Sequence, residues 1–290
     1  PTEDIGILRT WIDQGAEWGD IEFEPQESPK ALDPKLKALI VAVRGQDTAA
    51  VKKLLHEDPE LAKRKDHSDS TLLHHAAGFG NIETIRLLLD HGVDVNAKNR
   101  LEGTPLHWAV RSDEKTGLLL EHGAQINSKT QDGSTPLYLA SRRRDSHSVL
   151  RLLLAKGADP NLATLNGRTP LMAAAGAGDV VAMKLLLAKE ATATALSGSG
   201  AGTLMDAARS RNLEAVRLLI KHGADVKLET KRKQTVLALA AQQGAEDIVR
   251  VLLEKGAHAD GQDYRGYSPL MWAAYSEAMP AGIVKTLLDK

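Results

Sequence analysis

Apolar positions along most of the chain fall into one recurring pattern. A Thr-Pro-Leu or similar opening leads into a short Ala-rich stretch, then a polar break, then a run of leucines closed by Gly. The closing runs read LLLDHGVD, LLLEHGAQ, LLLAKGAD, LLIKHGAD and LLEKGAHAD. The openings read TPLH at 104–107, TPLY at 135–138, TPLM at 169–172 and SPLM at 268–271. Looser copies are KALI at 37–40, TLLH at 71–74, GTLM at 202–205 and TVLA at 235–238. Their first residues, the anchors, stand at 37, 71, 104, 135, 169, 202, 235 and 268, in steps of 34, 33, 31, 34, 33, 33 and 33. Self-similarity at such a period marks a repeat architecture, here of eight units.

Each unit predicts two helices. Thr caps the first with its hydroxyl, and Pro takes the first helical position, where no N–H is needed. Ala pairs such as Ala76-Ala77, Ala174-Ala175, Ala240-Ala241 and Ala273-Ala274 are small enough to let neighbouring helices approach. The second helix ends in leucines, and Gly92, Gly123, Gly157, Gly223 and Gly256 stop it by taking the left-handed conformation. The next anchor follows each of these glycines by twelve residues. No unit buries its Leu face alone, so stacking must supply one continuous core.

Composition supports this and adds an asymmetry. The chain has 290 residues, 42% hydrophobic but only 3% aromatic, so the core must be Leu, Ala, Val and Ile. Net charge is −1, yet residues 1–35 carry nine acids and three bases, leaving the rest about +5. There is no Cys, which excludes disulfides, thiolate zinc sites and covalent haem attachment within this chain. No apolar run is long enough to span a bilayer and no signal peptide is visible. With Pro1 at its start, the chain is expected to be a fragment.

TPLHWA, the Leu triplets, HGAD and the 33-residue period resemble the ankyrin repeat, over residues 34–290. That resemblance implies an all-α solenoid of about eight stacked helix–turn–helix units with projecting finger loops, the last repeat being incomplete. It also implies a domain that binds protein partners rather than one that catalyses.

The pattern departs from itself in places. Unit 3 is two residues short in SDEKTG (112–117), which should shorten its inter-helix turn, and unit 4 is one long around RRRDSHS (142–148). Unit 5 has Glu190 at the stop position, and unit 6 has Gly202-Thr203 in place of Thr-Pro. LSGSGAG lies between them and is the most flexible sequence of the array. The junction around 190–203 is therefore expected to be the weakest.

Catalytic and metal chemistry find no footing. Of ten histidines, His74 and His107 close the tetrapeptide, where the imidazole ties adjacent units. His91, His122 and His222 precede stop glycines, near helix C-termini where a cation is mildly favoured. No zinc spacing, H-E-x-x-H or G-x-S-x-G occurs. GSGAG at 198–202 lacks the Gly-Lys-Ser/Thr of a phosphate loop and falls on a finger. No catalytic residue, metal site or cofactor is expected in this chain.

The resemblance directs attention instead to the finger tips and the concave side of the first helices. Positions seven and eight after the anchors are Gly78 and Phe79, Arg111 and Ser112, Arg142 and Arg143, and Gly176 and Ala177. The series continues with Arg209 and Ser210, Gln242 and Gln243, and Tyr275 and Ser276. Finger positions add Arg100, Arg168, Lys231, Arg232, Lys233, Tyr264, Arg265 and Tyr267. Arg and aromatic residues are favoured in protein interfaces. The partner-binding set is accordingly Phe79, Arg100, Arg111, Arg142, Arg143, Arg168, Arg209, Lys231, Arg232, Lys233, Gln242, Tyr264 and Tyr275. An ordinary solvated surface is the plain reading of these residues. The sharper one is a basic groove for an acidic protein segment, bound by a monomer. Near-neutral overall charge argues against nucleic acid, and nothing points to a membrane.

Residues 1–20 do not continue the array. Gly15 of ILRTWIDQGAEWGD should be followed by an anchor twelve residues on, but the first anchor lies twenty-two residues on. The intervening 21–33 form an acidic, Pro/Glu-rich linker. Ile5, Leu8, Arg9, Trp11, Ile12, Asp13, Gln14, Gly15 and Ala16 resemble the closing helix of c-type cytochrome domains of the planctomycete type. Residues 1–20 are then the helical remnant of a preceding domain; the alternative is an N-terminal capping helix. The likeness implies the interaction arm of an exported bacterial electron-transfer protein, outside the cytoplasm; without it the compartment would be cytoplasmic.

Overall fold

The computed structural model describes residues 32–276 and 281–290. The segment resembling a cytochrome helix and the linker up to residue 31 lie outside the described residues. Sixteen α-helices are described, and they pair into the eight expected units. The first helices span Pro34–Arg44, Leu72–Gly78, Pro105–Ala109, Pro136–Ser141, Pro170–Ala177, Thr203–Arg209, Val236–Gln242 and Pro269–Ala274. Their partners span Thr48–Glu57, Ile82–Asp90, Asp113–Glu121, His147–Ala155, Val180–Leu187, Leu213–Lys221, Glu246–Glu254 and Ala281–Leu288. First helices pack on first helices and second on second, giving two layers with the core between them. Leu73, Ile85, Leu106, Leu119, Leu137, Leu150, Leu171 and Leu186 are fully buried there. Each such side chain contributes about 1.5–3 kcal/mol relative to exposure, and the Ala pairs set how closely the helices approach.

The local signals act as their chemistry requires. Thr135, Thr169, Thr235 and Ser268 accept the backbone N–H three residues on. At Thr71 and Thr104 the following His returns the favour, with Nδ1 accepting the N-cap backbone N–H. The five stop glycines are left-handed, and so is Glu190, at φ +62°.

Three expectations change in detail. Unit 1's first helix starts at Pro34, capped by Asp33, so Lys37 sits inside a helix and not at its cap. Asp33, assigned to the linker, therefore belongs to the array, where it also pairs with Arg64. In unit 3 the two missing residues are taken from the first helix, which ends at Ala109, rather than from the turn; Ser112 then caps the second helix at Lys115. In unit 4 the extra residue does lengthen the turn, 142–146.

The fingers follow one rule. Five residues before the anchor, in six of the seven fingers, an Asp, Asn or Thr side chain folds the loop by accepting backbone N–H groups, as Asp66, Asn99, Thr130, Thr164, Thr230 and Asp263 do; the finger before Gly202 has Ser197 there. Two residues before the anchor the backbone is left-handed in all seven fingers, including Asp69, Glu102 and Lys233. A non-Gly residue accepts this at a cost of about 1 kcal/mol. Neighbouring fingers are joined by a ladder of backbone bonds, Arg100 N–H to Ser68 O, then Gln131 to Leu101, Leu165 to Asp132, Gly198 to Asn166, Lys231 to Ser199 and Tyr264 to Arg232. The GSGAG finger is therefore tied on both sides, and its sequence alone overstated its freedom. Its weakness lies elsewhere: Gly202 offers no side-chain cap, and the buried Thr203 hydroxyl has no partner.

Candidate binding surface

The expected contact residues separate into three groups along the stack. The first surrounds a groove of about 640 Å³ over the first helices and fingers of units 2–4. Phe79, Arg111, Arg142 and Arg143 all line it, as do Trp108, Leu101, Leu139 and Val110, which the choice of positions seven and eight passed over. Trp108 is the centre of this arrangement. The rings of His74, His75 and Phe79 meet it edge-on at centroid distances of 5.7, 5.7 and 6.1 Å. Such contacts suit the ring quadrupoles and add about 0.5–1.5 kcal/mol each between aromatic pairs. Gly78 lets the indole lie close: a Cβ there would stand 2.9 Å from Trp108 Cε3. Gly78 thus acts through packing rather than as a contact position.

Polar groups hold this wall rigid. His74 Nε2 donates to Gly103 O at 2.9 Å and His107 Nε2 to Ser134 O at 3.1 Å, each reaching the next finger as expected. Burial pushes His107 down to about 4 and His74 below its ordinary value, so both are neutral at pH 7. His75 sits between Arg44, whose guanidinium donates to Nδ1 at 3.1 Å, and Asp66, which accepts from Nε2 at 2.9 Å. Burial, then the Arg44 charge, lowers its pKa against the pull of Asp66. Arg44 also lies over the Phe79 ring, 5.1 Å from its centroid. Phe79 remains 48% exposed.

At the rim, Arg111 and Arg142 are exposed and form no ion pair among the described residues. Arg143 is held by Asp145 at 2.8 Å. Among the described residues no Asp or Glu lines the groove.

The second group, in units 5 and 6, corrects the picture of a continuous basic groove. Asp206, buried to 3% exposure, accepts Arg168 at 3.2 Å and Arg209 at 3.1 Å. Both arginines expected to face a partner are thus engaged within the fold. Burial pushes the Asp206 carboxyl up, and the two guanidinium groups only partly offset that. Beside them the surface carries Gly176 and Ala177, which offer no anchor.

The third group is at the last fingers. Lys231, Arg232 and Lys233 are exposed, and the Arg232 and Arg265 guanidinium groups lie 5.6 and 5.2 Å from the Tyr264 ring centroid. Trp272, anchored by its Nε1–H on Asp263, stacks near Tyr267 and Tyr275. Tyr275 is 76% exposed. Of the remaining positions, Arg100 pairs with Asp69 at 3.7 Å at a finger tip, and Gln242 is half-buried at a helix end, away from the groove.

Trp108, Leu139, Asp206 and Trp272 share one register, four residues after the anchor. Residues i and i+4 share a helix face, so position four belongs beside position eight. Among the described residues no three His, Asp or Glu side chains are placed to hold a metal ion, and no helix is long and apolar enough to cross a membrane.

Comparison with known proteins agrees with this architecture. The family model described as ankyrin repeats (3 copies) matches residues 39–130, 98–164, 116–199, 137–230 and 204–290. Among curated proteins, the serine/threonine-protein kinase VIK of Arabidopsis thaliana is 38% identical over 81 residues, 28% of this chain and 18% of the relative. A transient receptor potential cation channel subfamily A member 1 homolog of Caenorhabditis elegans is 44% identical over 75 residues, 26% of this chain and 6% of the relative. The neurogenic locus Notch protein of Drosophila melanogaster is 35% identical over 89 residues, 26% of this chain and 3% of the relative. In each case the chain spans under a fifth of the relative's length, so the likeness extends to part of that protein only.

Proposed function

The chain belongs to the ankyrin repeat family, and from that premise we propose that it is a protein-interaction scaffold working through the groove of units 2–4. The observation that carries this reading is the exposed aromatic and apolar floor of the groove, rimmed by arginines with no acidic neighbour in its lining. The chain acts by binding rather than catalysis, as a monomer, and its partner presents an acidic segment. Charge reversal tests this against a purified partner. Arg111→Glu with Arg142→Glu should weaken binding at least about tenfold, roughly 1.4 kcal/mol. Arg151→Glu with Arg217→Glu, exposed on the second-helix layer, should leave it unchanged. Equal loss in both pairs would count against the groove.

The likeness of residues 5–18 to a cytochrome helix supports one extension, an array that serves as the interaction arm of a haem-bearing protein. Reading the coding sequence ahead of Pro1 for Cys-x-x-Cys-His tests it, and absence of that motif would remove it.

A further inference from the structure

We infer that the groove of units 2–4 takes a peptide segment in which a bulky apolar side chain stands beside a carboxylate; this rests on the binding role proposed above. The floor dictates the first half. Phe79 and Leu101 are 48% and 64% exposed, and the Trp108 and Leu139 side chains line the groove with them. Contiguous apolar surface of this kind gains most from a large apolar group that expels its water. At the equivalent positions of unit 5 stand Ala177 and Asn166, so this floor does not continue into unit 5.

The rim dictates the second half. Arg111 and Arg142 project at the edge without ion-pair partners among the described residues, whereas Arg143 is partly buried and already held by Asp145. A guanidinium takes a carboxylate in a two-pronged, charge-assisted pair, which fixes the segment's register as well as its affinity. A cationic segment would meet the two unpaired arginines, Arg111 and Arg142. A polyanion fits poorly, because exposed Glu102 and Asp132 stand on the fingers beside the groove and Asp206 neutralises the next arginines along the stack. The site therefore suits one or two carboxylates next to an anchor, and not a track of phosphates.

Fluorescence anisotropy on the whole chain tests this with short labelled peptides sharing an Asp-Leu-Phe-Asp core. One variant peptide replaces Leu-Phe with Ala-Ala, and another replaces both Asp with Lys; a thymidine oligonucleotide serves as polyanion. The parent peptide should bind at least about tenfold tighter than each of the other three. The same margin should vanish in Arg111→Glu/Arg142→Glu, whose folding is checked by circular dichroism. Equal affinity for the parent and either peptide variant, or tighter binding of the oligonucleotide, would overturn the inference. If the peptides fail to discriminate while charge reversal still weakens a native partner, the scaffold reading stands and only this inference falls. If charge reversal has no effect on that partner, both fall.

Discussion

Units 2–4 and units 5–6 share one backbone plan, yet they present opposite surfaces. In the first set the position four residues after the anchor holds Trp108 and Leu139, and Arg111 and Arg142 stay unpaired at the rim among the described residues. In the second it holds Ala173 and Asp206, and the arginines close over the buried carboxylate. The comparison teaches that arginine count does not make a basic groove. What lies under the arginines decides whether their charge is offered to a partner or used within the fold.

Acidification should separate the two regions most strongly. A histidine held below its ordinary 6.5 contributes stability that is present above that pH and lost as pH falls toward about 4. For His107 the full loss is roughly 3 kcal/mol, because burial disfavours the charged imidazolium, whose Nδ1 also can no longer accept the Thr104 N–H. Asp206 works in the opposite direction: its carboxyl, held above the ordinary 3.8, contributes most below that value and loses the contribution as pH rises through its folded value. Amide exchange at pH 4.5 and 7 should show unit 3 loosening at the lower pH and unit 6 holding. Uniform loosening would break the comparison.

Gly78→Ala comes next in size. Overpacking against Trp108 should cost about 1–3 kcal/mol in thermal unfolding and weaken partner binding, because the indole must tilt out of the floor. Gly176→Ala, the equivalent change in unit 5, meets nothing closer than 3.9 Å and should cost little. The junction at 190–203 should follow, with amides of Thr203–Arg209 exchanging about 1–2 kcal/mol more readily than those of Val236–Gln242. The missing cap and the orphaned Thr203 hydroxyl set that figure. Equal protection would remove the idea. Asp206→Leu should have the smallest effect on stability, within about 1 kcal/mol, since replacing a buried charge by an apolar side chain is often near neutral. It should nevertheless release Arg168 and Arg209 and raise affinity for an acidic peptide at units 5–6, which isothermal titration can read.

Most of the fold was legible because each unit carries its own local instructions. Thr and Pro start a helix, Gly92 and its equivalents stop one, and the fixed period dictates stacking. Even the strained Glu190 could be read from its place in the register. The surface was only half legible. Positions seven and eight include Phe79, Arg142 and Arg143, which line the groove, but helix periodicity puts position four on the same face, where Trp108 and Leu139 line it too. The pairing of Arg168 with Asp206 could not be read this way. It depends on how far the finger of unit 5 reaches toward the helix of unit 6, a distance that no spacing along the chain encodes. Likewise, the two residues missing from unit 3 could be counted in advance, but only packing decided that the first helix would lose them.

The most direct test places a photocrosslinking residue at Arg142 and, separately, at Arg209, which stand at the same position in units 4 and 6. Partner adducts should form at position 142 and be nearly absent at position 209, where the side chain lies over Asp206. Equal adducts at both positions, or more at 209, would contradict the assignment of binding to the groove of units 2–4.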